Sequence, residues 1–329
     1  MSTGCHMRSN ATNEKAQEVL SLLTKVQTYF KTKLLNVSDS INSNTTFKEV
    51  EWLRDEGLHG GGMRFEALPN GIFNRASINV SQIHYENDDT KHYDSATALS
   101  TIIHPSLPFA PSIHIHISWT THKDGQSYWR IMADLNPSII DKDDKEYFDQ
   151  TLKVAAKENY LSGRKLGNTY FDIPALQKRR GVSHFYLEGF NPTSADGSEF
   201  ANQFVTKVID TYVHILQSHL VSKKETTEKE HQLQLDYHTL YFYQVLTLDK
   251  GTTAGLLVHN QNDVGTLGSL PSHLNRDLLA SWQAKTPSPL DQLVGKLLDV
   301  LPTTSVCTIT PEVKAALAQA IRTFYQPKK

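Results

Sequence analysis

Ser112-Ile113-His114-Ile115-His116-Ile117-Ser118 is the stretch on which the fold turns, and it lies near the end of the segment ALSTIIHPSLPFAPSIHIHISW, Ala98–Trp119. Successive side chains of a strand point to opposite faces. The alternation therefore predicts a strand with Ile113, Ile115 and Ile117 toward a core, and with Ser112, His114, His116 and Ser118 on a shared polar face. Pro105, Pro108 and Pro111 precede it, and His104 stands before the first of them. A residue before proline is held extended, which makes His104 a fixed imidazole able to serve as acid, base or anion ligand. A capped turn histidine reads the same way. The polar face of this strand is the expected wall of any reactive pocket.

Outward from it, Gly71–His84 alternates from Ile78 onward and sets Ile78 and Val80 against Asn79 and Ser81. Ser127–Ile139 reads as another strand, with Asp134 just before a turn at Asn136-Pro137, and Gly181–Phe190 as a third, with His184, Tyr186 and Glu188 on one face. Gly60-Gly61-Gly62 matches neither a dinucleotide fingerprint nor a phosphate loop. It reads as a surface turn or as a place of close ligand approach. His238–Leu248 is aromatic and β-branched and reads as a buried strand. Asp249-Lys250-Gly251 then reads as a hairpin turn and Thr253–His259 as the returning strand. Helices are expected over 13–34, 144–161, from an N-cap at Ser198 to Val221, over Pro287–Leu301, and over Pro311–Tyr325 behind Thr310 as N-cap. Residues 36–50 and 192–198 read as loops, and Lys223–Glu230 as a charged linker. The pattern argues α+β with an antiparallel sheet: an N-terminal helical segment, 1–50, packed on one domain, 51–329.

The 329 residues carry 33 Lys and Arg against 35 Asp and Glu, a net charge of −2. That balance gives no electrostatic case for nucleic acid. No apolar run reaches the roughly 20 residues of a membrane span, and MSTGCHMRSNATNEK lacks the apolar centre of a signal peptide. Cys5 and Cys307 are the two cysteines and sit at opposite ends, which argues against a disulfide framework or a thiolate metal site and suits a reducing cytoplasm. His114 and His116 on one face are compatible with a shared divalent metal. No glutamate follows in ISWTTHKDG, so such a site needs partners such as His104 or Asp134, and ordinary hydrogen-bonded histidines remain the plainer reading. The residues by themselves describe a soluble α+β protein with a histidine-lined pocket.

Several segments together resemble the oxygen-dependent coproporphyrinogen III oxidase family. Gly60-Gly61-Gly62 followed by GIFNRASINVS (Gly71–Ser81) is similar to its glycine cluster and the strand after it. Leu99–His114, LSTIIHPSLPFAPSIH, resembles its IHPxNPxxPTxH signature. Asp134-Leu135-Asn136-Pro137, Arg180-Gly181-Val182, Leu248–Thr252 and Ser269-Leu270-Pro271 resemble its D-L-T-P, R-G-V, Y-D-R-G-T and S-L-P-P elements. The resemblance implies a large antiparallel sheet with helices on both faces and a homodimer. It implies oxidative decarboxylation of two coproporphyrinogen III propionates to vinyl groups, with molecular oxygen as co-substrate and no organic cofactor. His104 and Asp249 would then be the catalytic residues, Asp249 engaging pyrrole N–H groups. Asn79, Ser81, Asp134, Arg180, Lys250, His114, His116 and His184 would bind substrate, with Arg180 on a propionate. The chain departs from the pattern where Lys250 and Ser118 stand in place of arginines, where Arg64-Phe65 replaces Ser-Arg, and where Ala175-Leu176 replaces His-Arg. His116, His184, Arg64 and Lys250 are the candidates to replace the missing cations. The alternative is a diverged paralogue that binds a tetrapyrrole or acts on another substrate, and a histidine-based metalloenzyme is a third reading.

Overall fold

The computed structural model describes residues 8–67, 71–192, 196–222, 224–258 and 260–326. Cys5 and the opening residues, residues 193–195 of the stretch read as a loop, and His259 lie outside the described residues, and residues 196–198 of that stretch are already helical. The centre is a seven-stranded sheet, antiparallel throughout, built from β1 (Phe47–Leu53), β2 (Gly60–Ala67), β3 (Phe73–His84), β4 (Tyr93–Pro105), β5 (Ser112–His122), β6 (Ser127–Asn136) and β9 (Ser183–Phe190), in that spatial order. Two short pairs lie outside it: β7 (Asp172–Ile173) with β8 (Lys178–Arg179), and β10 (His273–Asn275) with β11 (Val306–Thr308).

The alternation of 112–118 decides the faces. Ile113, Ile115 and Ile117 are each fully buried, and burial of a side chain of that size stabilises by about 1.5–3 kcal/mol. They join Ile78, Val80, Leu99, Ile131, Ala133 and Phe185 in one core. That core is roofed by α1 (Glu14–Ser40), α2 (Lys142–Ala156) and α4 (Asp196–Ser222). Asn13 starts α1 as expected, its side chain accepting from the Ala16 N–H at 3.1 Å. The buried stripe Val19, Leu23, Val26, Phe30 then continues to Leu34 and Val37, so the helix runs into the stretch read as loop. The boundary expected at residue 50 falls within β1, which pairs with β2 from Phe47 to Leu53. The helix expected over 144–161 is two, α2 and α3 (Tyr160–Tyr170), broken where Lys157 takes a positive φ of 51°. Ser198 is not the cap of α4, because the helix begins two residues earlier.

The opposite face of the sheet carries a second helical layer: α5 (Glu228–Thr247), α6 (Lys250–Val258), α7 (Asp263–Thr266), α8 (Arg276–Gln283), α9 (Leu290–Val300) and α10 (Pro311–Tyr325). Thr310 caps α10, accepting from the Val313 N–H at 3.3 Å. Here the sequence reading needs its main correction. His238–Leu248 is not a strand, Asp249-Lys250-Gly251 is not a hairpin turn, and the residues after it are helical up to Val258. α5 is buried on nearly all sides from Tyr237 to Thr247. A helix enclosed all round shows no polar stripe, and its aromatic and β-branched residues then mimic a buried strand. Its start was written in Thr227-x-x-Glu230, a capping box in which the Glu230 carboxylate accepts the Thr227 N–H at 2.9 Å. Asp249 is the cap of α6: its Oδ1 accepts from the Thr252 N–H at 2.7 Å.

The glycine cluster is likewise not a surface turn. Gly60, Gly61 and Gly62 are buried in β2 and pair with Ile83, Gln82 and Ser81. At Gly60, where φ is +88°, a Cβ would stand 2.1 Å from the Gln82 carbonyl oxygen, so neither the backbone angle nor the space admits a side chain.

Candidate active-site cleft

A cavity of about 370 Å³ lies between the second helical layer and the polar face of the sheet. Register places its floor. His116 lies across from Ser100 and Met132, Asn79 from Ser100 and Arg64, and Ser81 from Ala98 and Gly62. Directly opposed cross-strand residues share a face, so strand pairing alone gathers these side chains. The roof comes from Tyr241 and Val245 of α5, Asp249 with the first turns of α6, and Gly265 and Thr266 of α7, while Trp52, Tyr170 and Arg180 complete the walls.

Asn79, Ser81, His114, His116, Arg180 and Asp249 therefore line one cavity. His104, Asp134 and His184 do not reach it, and Lys250 stands exposed beside it in the first turn of α6. His104 is on the same sheet face, paired with Arg75, but it is fully buried under α5. Its Nδ1 lies 2.8 Å from Ser112 Oγ, and its ring meets those of Tyr241 at 4.7 Å and His238 at 5.1 Å. Burial first, then His238 and Arg180, drive its pKa well below the ordinary imidazole value. It is a neutral ring behind the wall.

Asp134 and Arg180 form the buried electrostatic centre. Arg180 Nη2 is 3.1 Å from Asp134 Oδ2. The same carboxylate takes His114 Nδ1 at 2.9 Å and the Asn136 amide at 2.6 Å. Burial raises the Asp134 carboxyl, but Arg180, His114 and Asn136 outweigh it and hold it below the usual carboxylate range. The guanidinium lies over Phe171 at 4.4 Å and Tyr241 at 5.0 Å, positions in which an aromatic face attracts a cation. Its Nε and Nη1 are buried without a hydrogen-bond partner among the described residues. A buried N–H without a partner is costly, and a carboxylate entering the cleft would relieve it. His184 supports this centre from outside the cavity: its Nε2 lies 2.7 Å from the Arg180 carbonyl oxygen and its Nδ1 2.9 Å from Asn168 Oδ1.

Asp249 Oδ2 accepts from the Tyr170 hydroxyl at 2.9 Å. With Oδ1 on Thr252, two of roughly four acceptor positions of a carboxylate are used, leaving capacity for ligand N–H groups. Burial first, then Asp249, push the Tyr170 phenol upward, so it stays a donor. His116 Nε2 lies 3.1 Å from Ser118 Oγ. Its pKa is lowered to about 3 by desolvation, then by Arg130 and His114, so it presents a neutral ring. Among the described residues, neither His114 nor His116 is one of three carboxylates, imidazoles or thiols gathered closely enough to share an ion. Among the described residues, the carboxylates and imidazoles close enough to share an ion are Asp141, Asp144 and His219, on the other helical layer.

Sequence reasoning missed Arg130, Tyr170, Tyr241 and Trp52. For Arg130 a signal existed, because it shares the parity of Asp134 in the Ser127–Ile139 strand. Tyr170 and Tyr241 come from helices whose place against the sheet has no local mark. Among the described residues no helix is long and apolar enough to cross a membrane.

A family model described as coproporphyrinogen III oxidase matches residues 18–300. The chain is 25% identical over 281 residues to an oxygen-dependent coproporphyrinogen-III oxidase, mitochondrial, of Rattus norvegicus, covering 78% of this chain and 61% of that protein. It is 27% identical over 285 residues to the oxygen-dependent coproporphyrinogen-III oxidase of Drosophila melanogaster, with 79% and 70% covered. It is 25% identical over 273 residues to coproporphyrinogen-III oxidase 1, chloroplastic, of Arabidopsis thaliana, with 74% and 68% covered. The chain thus spans about three fifths of the length of the rat relative.

Proposed function

The chain belongs to the coproporphyrinogen III oxidase family, and on that premise we propose that it catalyses the oxygen-dependent oxidative decarboxylation of coproporphyrinogen III in porphyrin biosynthesis. Each propionate loses CO2 and one hydrogen from its side chain. Molecular oxygen takes up two electrons and two protons, leaving a vinyl group and hydrogen peroxide. No organic cofactor enters this balance. The observation that carries the reading is the convergence of Asn79, Ser81, His114, His116, Arg180 and Asp249 on one cavity in a chain of this family.

Within the proposal, Asp249 accepts pyrrole N–H groups with its free acceptor positions, held in place by Tyr170 and Thr252. Arg180 binds a propionate through its unpartnered Nε and Nη1 while Asp134 fixes its third nitrogen. His104 acts as a positioning residue through Tyr241 rather than by contact, because it does not line the cavity. Lys250 attracts carboxylates at the entrance. The same proposal includes a homodimer, which light scattering would register at twice the 37.1 kDa chain mass, and a cytoplasmic location.

Aerobic incubation of the purified protein with coproporphyrinogen III should yield protoporphyrinogen IX and peroxide, and an anaerobic control should yield neither. Saturable binding of coproporphyrin III without turnover at stoichiometric enzyme would sink the oxidase reading and leave a tetrapyrrole-binding paralogue.

A further inference from the structure

Arg130 was not singled out by any motif, yet the sheet puts it on the cleft floor. It lies on β6 directly across from Ser118 of β5, where the family resemblance implies an arginine, and it lines the same cavity as His116. Its Nη2 meets the Glu188 carboxylate, while its Nε is buried and has no hydrogen-bond partner among the described residues. The Glu188 side chain is 51% exposed, and exposed ion pairs of this kind hold weakly. Arg130 is therefore a cation with one unsatisfied donor inside the cleft and a replaceable counter-ion at its rim. Four residues separate it from Asp134 on the same strand, which is about 13 Å at the strand rise. Arg180, bound to Asp134, and Arg130 both line this cavity, and each carries N–H groups without a partner among the described residues. A ligand with more than one carboxylate suits such a pair of cations.

We propose that Arg130 binds a second carboxylate of the cleft ligand, exchanging Glu188 for it on binding. The proposal rests on the tetrapyrrole reading given above and adds to it a carboxylate subsite on β6, across from position 118 of β5. The guanidinium fork suits a carboxylate in two-point contact, and the buried Nε gains the partner it lacks.

The test is equilibrium binding of coproporphyrin III, a stable tetracarboxylate, to the full chain and to the variants R130Q, R130K and E188Q. R130Q should weaken binding about tenfold or more, as loss of a charge-assisted contact does. R130K should recover part of the loss, since it keeps the charge and not the fork. E188Q should bind about threefold tighter or better, because it removes the competing carboxylate; a gain of affinity is not an outcome of misfolding. Wild-type binding matched by R130Q, or an E188Q affinity at or below wild type, overturns the assignment of Arg130 and leaves the tetrapyrrole reading standing. Failure of the wild type itself to bind coproporphyrin III overturns that reading and this inference with it.

Discussion

Replacing Asp134 by asparagine keeps the shape of the side chain and removes its charge. Asp134 and Arg180 are 0% and 1% exposed, so the guanidinium would remain in the interior with its counter-ion gone. Its Nε and Nη1 already lack partners among the described residues, so the protein offers nothing in place of the lost attraction. Removing one partner of a buried pair typically costs about 3–5 kcal/mol. Against a domain stability of roughly 5–15 kcal/mol that is a large fraction. Denaturant unfolding at pH 7 should therefore show D134N and R180M each strongly destabilised. The double variant should lose clearly less than the two losses added, with a coupling of about 2 kcal/mol or more. The pH dependence has a definite sign. The Asp134 carboxyl is held below its ordinary value, so its contribution is complete above the unfolded value of about 3.9 and is lost as pH falls through the lower folded value. Wild type and D134N should converge in acid. A D134N protein within about 1 kcal/mol of wild type at pH 7, or strictly additive losses, would refute the claim that this pair holds the site together.

Three further predictions test other parts of the structure. His238 is buried, with a pKa lowered to about 3 by desolvation and then by His273. It is neutral when folded and protonates near 6.5 when unfolded, so stability should fall below that pH by about 1.4 kcal/mol per pH unit for this group. H238L should flatten that acid limb by one proton, and an unchanged slope would count against it. G60A places a methyl 2.1 Å from the Gln82 carbonyl oxygen at a φ of +88° and should cost at least about 2 kcal/mol; an unfolding midpoint indistinguishable from wild type would show the strand to be looser than drawn. Y170F removes the donor to Asp249, a hydrogen bond to a charged group worth about 1.5–3 kcal/mol. It should lower stability by up to that amount and kcat/KM for coproporphyrinogen III by roughly 10- to 100-fold, measured at a temperature where the variant is folded; full activity would detach Tyr170 from the work of Asp249.

Much of the sheet was legible residue by residue. Alternation in 112–118 and 78–83 fixed both faces, because a period of two survives wherever one face is buried and the other is polar. The helices flanking the sheet on the isoleucine side were legible for the same reason, since Val19, Leu23, Val26 and Phe30 mark a stripe with a solvated back. α5 was not, because its half from Tyr237 to Thr247 has no solvated back, and the capping box at Thr227, the one local cue to a helix, was read as part of a charged linker. Asp249 was found through its neighbours in the chain, although what surrounds it is a helix cap and not a hairpin.

By itself the sequence determined which strand carries the isoleucine core, that His114 and His116 share a face with Ser112 and Ser118, and which family motifs are present. These are local properties, written in period and spacing. Only the tertiary structure decided that His104 is sealed behind Tyr241, that Arg180 spends one nitrogen on Asp134, and that Arg130 stands across from the serine where a cation was missed. Each depends on register and on how a second helical layer closes over the sheet. Residues far apart in the chain become neighbours through backbone pairing, and no short-range pattern records which of them will meet.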